Sequence, residues 1–115
     1  MSKSFVTITS DVSRSLDTLR QEIPDTMRGF SQMAKGALQA GALSELQKEL
    51  IALAIGVASR CDACIGFHAK ALVQLGATRP EVEEALGMAV YMGGGPSLMY
   101  SANAIAAFEQ FSAAG

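Results

Sequence analysis

Residues 44–68 read SELQKELIALAIGVASRCDACIGFH, and this stretch decides the fold. Ser44 followed three residues on by Gln47 is a capping-box pattern, which opens a helix by satisfying its free amide groups. Leu46, Leu50, Ile51, Leu53, Ala54 and Val57 make that helix apolar nearly all round after Glu49. A helix of this kind lies at the centre of a bundle rather than on its surface. The pattern fades at Ala58-Ser59-Arg60. Ser59 with Asp62 three residues later resembles a second cap, so a new helix starts here and runs to Leu75. Gly76 then occupies the position just past a helix end, where a left-handed residue is favoured. Two helices joined by so short a turn can form an antiparallel hairpin.

Working outward, Val12, Leu16, Leu19 and Ile23 recur at helical spacing from about Asp11. Pro24 stops and restarts the helix. Met27, Phe30, Met33, Ala34 and Leu38 place a second apolar stripe before the turn marked by Gly36 and Gly41. On the other side, Thr78-Arg79-Pro80-Glu81 combines a hydroxyl cap, a first-turn proline and an acid at the third helical position. Val82, Leu86, Ala89 and Val90 follow as the apolar face of that helix, which ends at Gly93. A last helix runs from about Pro96 to Ala113 with Leu98, Met99, Ile105, Phe108 and Phe111. Residues 1–10, with Phe5, Val6, Thr7, Ile8 and Thr9, are β-prone but short and alone, and are expected to form an extended arm. The expectation is a single domain over 1–115, all-α, with about six helices and short connections.

The composition sharpens this. The chain has 115 residues, of which 17% are charged and 50% apolar. So few charges cover a small monomer's surface poorly, which predicts apolar surface hidden in a homo-oligomer. A formal net charge of -2 excludes the basic patch that nucleic-acid binding requires. The longest uncharged stretch, Ala85 to Phe108, is long enough to cross a bilayer. Gly93, Gly94, Gly95 and Pro96 interrupt it, and Ser97, Ser101 and Asn103 add polar groups, so it reads as two helices packed in protein and not as a membrane span. Met1 to Asp11 lacks a basic segment followed by an apolar run, so no secretory signal is expected there. A cytoplasmic location follows as the expectation. In that compartment cysteines stay reduced unless they are working redox groups.

Both cysteines and the only histidine fall within Cys61-Asp62-Ala63-Cys64-Ile65-Gly66-Phe67-His68. Residues three and four apart share a helix face, so Cys61, Cys64 and His68 line one side. Two thiols at this spacing can close into a disulfide. A helix's first turn stabilises a thiolate through its free N–H groups and dipole, and Arg60 acts in the same sense. His68, one turn beyond Cys64, can move protons to or from it. If the two central helices form a hairpin turning near Arg60, Glu49 lies about eleven residues before the turn and His68 about eight after it. At roughly 1.5 Å per residue their heights differ by only about 4 to 5 Å. Glu49 then orients His68, as the third member of a triad does. Glu49 sits among apolar neighbours, and a carboxylate in that setting needs a partner. The bland alternatives are a core cysteine pair, a satisfied structural histidine and an exposed helix charge. Zinc is the sharpest rival, because Cys61, Cys64, His68 and Glu49 would supply four ligands. Structural zinc, however, draws its ligands from two separated knuckles, whereas three of these crowd one helix. A thioredoxin arrangement fails because no strand precedes Cys61.

Glu49, eleven intervening residues, Cys61-x-x-Cys64, three more and His68: this arrangement resembles the carboxymuconolactone decarboxylase-like superfamily, in its alkylhydroperoxidase D-like branch. The resemblance extends over most of the chain beyond about residue 20, through the Gly76–Pro80 turn and the glycine-rich break before the last helix. It implies an all-helical fold and assembly as a trimer or hexamer. It also implies an antioxidant thiol-dependent peroxidase in which Cys64 attacks a hydroperoxide and becomes a sulfenic acid. Cys61 condenses with that group to give a disulfide. Glu49 and His68 match the proton relay. An external dithiol, in the family sometimes a lipoyl-bearing protein, then reduces the pair. No cofactor and no resident metal are implied. The decarboxylase branch does not work through this cysteine pair, so lactone decarboxylation is disfavoured. Ala63 stands where the peroxidase that names the branch has a second histidine. A general dithiol–disulfide oxidoreductase or redox sensor would use the same residues.

Overall fold

The computed structural model describes residues 1–115, which form five α-helices and no strand: α1 (Phe5–Glu22), α2 (Pro24–Leu38), α3 (Glu45–Ala58), α4 (Asp62–Gln74) and α5 (Arg79–Ala114). The all-α class read from the periodicity holds. Helices α3, α4 and α5 pack together around Leu53 and Val57, Ile65, Ala69 and Leu72, and Val82, Leu86, Ala104 and Ala107. Glu49 is the one charged residue buried with them. Helix α1 lies across α4. Helix α2 contributes no buried residue at all.

The boundaries have local causes. Both expected capping boxes are present: Ser44 with Gln47 opens α3, and Thr78 with Glu81 opens α5. At the end of α4, Gly76 takes φ 79°. The amides of Gly76 and Ala77 return to the carbonyls of Val73 and Leu72, at 3.1 and 2.9 Å, which is the Schellman ending a glycine permits. Helix α3 ends in the same way without a glycine. Arg60 carries φ 56°, and the amides of Arg60 and Cys61 bond to the carbonyls of Val57 and Gly56.

Two readings need correction. Residues 1–10 are not an extended arm, because α1 begins at Phe5. Ser4 caps it by accepting from the Thr7 amide, and the Thr9 hydroxyl donates to the Phe5 carbonyl at 2.9 Å. The decisive term is tertiary. Phe5 is fully buried, and its amide donates to Gln110 Oε1 at 2.7 Å, a contact 105 residues away in sequence. Burial of that size outweighs the weak β preference of Val, Ile and Thr. Second, the cap of α4 is Cys61, not Ser59. Ser59 is the last residue of the preceding helix ending, and the Cys61 side chain does the capping.

The expected division into about six helices holds, because α5 is two helical halves joined at a kink in the glycine-rich break. Gly94 has φ 70° and ψ -154°, which is not helical. Arg79 Nη1 bonds to Glu109 Oε2 at 2.7 Å. A straight helix would hold residues 30 apart at a distance of roughly 45 Å, so the two halves of α5 fold back on each other. Gly93 allows the return, since a Cβ there would lie 2.0 Å from Ser97 Oγ. Glu109 first, then Glu83, hold the Arg79 guanidinium above its ordinary pKa by hydrogen bonding to it. No helix is long and apolar enough to cross a membrane.

Candidate functional site

The site is built at the turn between α3 and α4. The backbone of Cys61 closes the end of α3, while its side chain opens α4: Cys61 Sγ accepts from the Cys64 amide at 3.2 Å. A sulfur at this position meets the positive end of the helix dipole and a free amide group. Cys61 and Cys64 form a disulfide, with their α-carbons 5.2 Å apart. That separation is within the usual range for a bridged pair. Both residues are partly exposed, so the bond lies within reach of solvent.

Gly56 explains how α3 comes so close. A Cβ at this position would sit 3.2 Å from the Cys64 Cβ. The small residue lets the backbone of α3 pass directly against the second cysteine, and Gly66 does the same for α1 on the other side of α4. A Cβ on Gly66 would meet Thr9 Cγ2 at 2.6 Å.

His68 lies one turn beyond Cys64 on the same face of α4. Its Nδ1 is 2.6 Å from Glu49 Oε1. Glu49 is only 5% exposed, whereas the His68 side chain keeps 30% exposure. A buried carboxylate that bonds Nδ1 fixes the ring's orientation and favours the tautomer with the proton on Nδ1. That leaves Nε2 as the atom free to accept or give a proton. The hairpin argument from helix rise therefore places these two residues correctly. With the two sulfurs joined, no three His, Cys, Asp or Glu side chains come together as a metal-holding set.

Three participants near the pair were not legible from spacing. Lys3 Nζ donates to Asp62 Oδ2 at 2.9 Å, across 59 residues. The same ammonium lies 5.6 Å from the centre of the Tyr100 ring. Gln110 binds the N-terminal segment at two points, accepting from the Phe5 amide and donating to the Lys3 carbonyl at 2.9 Å. Only long-range packing brings these groups together, and no local pattern announces it.

An all-helical bundle that carries a cysteine pair at the start of one helix, beside a histidine held by a buried carboxylate, defines a class of redox-capable helical proteins. The comparisons with known proteins say which family has this fold. The model of the carboxymuconolactone decarboxylase family matches residues 24–107. A crystal structure of a carboxymuconolactone decarboxylase family protein from Legionella pneumophila superposes with a TM-score of 0.93 at 56% identity, covering 94% of this chain and 96% of that one. A crystal structure of a Thermotoga maritima protein gives a TM-score of 0.79 at 28% identity, covering 92% and 94%. An uncharacterized protein of Cupriavidus necator is 36% identical over 113 residues, 98% of this chain and all of that one. The chain belongs to the carboxymuconolactone decarboxylase family.

Proposed function

We propose that the protein is a thiol-dependent peroxidase of the alkylhydroperoxidase D-like kind. The observation that supports it is the join at α4: a partly exposed Cys61–Cys64 pair one turn before a histidine bonded to a buried glutamate. In this reading Cys64 thiolate attacks the hydroperoxide ROOH and the O–O bond breaks. Cys64 becomes the sulfenic acid, and the alkoxide takes a proton from His68 and leaves as ROH. Cys61 thiolate then attacks the Cys64 sulfur. The S–S bond forms, and the hydroxide lost takes up a proton to become water. The helix-capping position of Cys61 suits this second step, which needs a thiolate there. An external dithiol reduces the disulfide and leaves as its own disulfide. The net change is ROOH plus dithiol to ROH, water and disulfide. The cytoplasm, where such dithiols are kept reduced, is the compartment this cycle suits.

Ala63, in place of a second histidine, favours a second reading in which the pair exchanges disulfides without a meaningful peroxidase rate. Turnover with an alkyl hydroperoxide and with a small disulfide, under the same dithiol, separates the two. The peroxidase reading expects the hydroperoxide to be consumed and Cys64→Ser to abolish turnover. Cys61→Ser should allow one oxidation and no intramolecular disulfide. If both variants consumed peroxide as fast as the unaltered protein, the peroxidase reading would fail.

A further inference from the structure

Asp62 lies between the two cysteines, in the first turn of the helix that Cys61 caps. Its two oxygens have different fates. Oδ2 holds Lys3 Nζ at 2.9 Å, while Oδ1 is buried with no hydrogen-bond partner. Lys3 is the single counter-charge bonded to this partly exposed carboxylate. That charge comes from a residue outside any helix, and its place is set by Gln110, which grips the backbone on both sides of Ser4. Tyr100 flanks the ammonium from α5. The amino-terminal segment is thereby tied to the redox turn by one ion pair.

We propose that Lys3 is a positioning residue for the Cys61–Cys64 couple, holding the Asp62 carboxylate and balancing its charge so that the reduced pair ionises readily. The inference rests on the redox reading of the pair, but not on peroxide being the oxidant. Reduction breaks the S–S bond, and two electrons and two protons arrive from an external dithiol, which departs as its disulfide. One thiol then releases its proton to solvent. The thiolate forms at the same helix end as the Asp62 carboxylate, and like charges at close range disfavour each other. Lys3 offsets that repulsion. Among the other charged or titratable groups on the segments that meet here, the Met1 ammonium lies two residues before Lys3, Arg60 directly precedes Cys61, and His68, Glu49 and Tyr100 belong to α4, α3 and α5. Arg60 is exposed, and Glu49 is engaged by His68. Lys3 is thus the one cation bonded to the acid between the cysteines.

The test is the pH profile of thiol alkylation in the reduced full chain, for unaltered protein, Lys3→Met, Lys3→Arg, Asp62→Asn and the double variant Lys3→Met/Asp62→Asn. Lys3→Met is expected to raise the apparent pKa of the more reactive thiol by about 0.5 to 1, the scale of a partly screened neighbouring charge. Lys3→Arg should restore most of the profile, and Asp62→Asn should lower the pKa. In the Asp62→Asn background the Lys3→Met shift should shrink to a small fraction, since the ammonium has lost its anchor. The Lys3→Met shift should also fall at high ionic strength. An unmoved profile in Lys3→Met, with helical content intact by circular dichroism, overturns the proposal. A shift of full size in the Asp62→Asn background overturns it as well. Peroxide consumption by the unaltered protein is measured alongside. Its absence counts against the peroxidase reading and leaves the alkylation result to decide the role of Lys3.

Discussion

At the scale of single residues, the proposed peroxidase cycle gives the Glu49–His68 bond consequences for rate that differ from its consequences for stability. Glu49→Gln keeps the shape and one hydrogen-bonding group but removes the charge that holds the Nδ1 proton. The peroxide-dependent oxidation of Cys64 is expected to fall in this variant, and His68→Asn should cost roughly 10²- to 10⁴-fold, the range of a lost general acid–base group. Stopped-flow measurement of sulfenic acid formation checks both. Glu49→Leu tests burial instead of chemistry: the carboxylate is 5% exposed in an apolar surround, so an apolar replacement should fold while its oxidation rate drops as in His68→Asn. Arg60 poses the opposite question. A non-glycine residue at φ 56° stores about 1 to 2 kcal/mol, set against the chain entropy that glycine would bring. Arg60→Gly should leave stability unchanged or raise it by up to about 1 kcal/mol in urea denaturation. The cysteine spacing and the histidine were legible because they obey helix geometry over a turn or two, and Glu49 because helix rise sets its height against His68 across an antiparallel pair. Arg60 was not legible, because nothing in its neighbours calls for a left-handed residue at a position that carries a long side chain.

Among whole elements, the contrast is between ends set locally and positions set by contact. The capping boxes at Ser44 and Thr78 and the glycine ending at Gly76 are written in four to six consecutive residues, and the helices begin and end where those residues say. Helix α1 is different. Its apolar first turn resembles a strand in isolation, and only the buried Phe5 ring and the Gln110 amide, from the far end of the chain, make it a helix. The place where α1 crosses α4 depends on the missing side chain at Gly66. Gly66→Ala would thrust a methyl to 2.6 Å from Thr9 Cγ2, so the buried Thr9 side chain or α1 itself must shift, at an expected cost of about 1 to 3 kcal/mol. Hydrogen exchange should then show loss of protection concentrated in residues 5–22, with α3 little changed. The bend in α5 has its own test. Gly94 combines φ 70° with ψ -154°, a region almost closed to side chains. Gly94→Ala should destabilise the fold by about 1 to 3 kcal/mol, read as a lower urea midpoint. The opposite outcome, an unaffected midpoint, would mean that the halves of α5 do not need this bend to fold back.

For the whole molecule, the exposed apolar surface is the fact that the isolated chain does not explain. Its accessible surface is 6950 Å², whereas a compact monomer of 12.0 kDa should have about 6,000 Å². The excess, roughly 1,000 Å², is comparable to what one partner buries in a standard interface, about 800 Å². Two groups of exposed apolar side chains are candidates for such an interface. Helix α2 has no buried residue, and Phe30 and Met33 are each 62% exposed on it, continuing the exposed Leu19 and Ile23. Separately, Ile51, Ala54, Ile55, Ala58, Met88 and Met92 line an apolar groove of about 330 Å³ between α3 and α5. Two different apolar faces on one chain suit a head-to-tail contact, which closes into a ring when the rotation allows. The sparse charge read from the sequence foreshadows such surfaces, but not their location, because an apolar stripe on a helix looks the same whether its own chain or another copy covers it. The prediction is a homo-oligomer, a trimer or hexamer as the family resemblance implies. Sedimentation at micromolar concentration should give a multiple of 12.0 kDa. Phe30→Glu, and separately Ile55→Glu with Met92→Glu, should shift the population towards monomer while helical content persists, because these side chains are mostly exposed in the single chain and lie outside its buried core. A 12.0 kDa species for the unaltered protein would sink the assembly. Were the Phe30 variant alone to dissociate, α2 would be the contact and the α3–α5 groove would lie outside it.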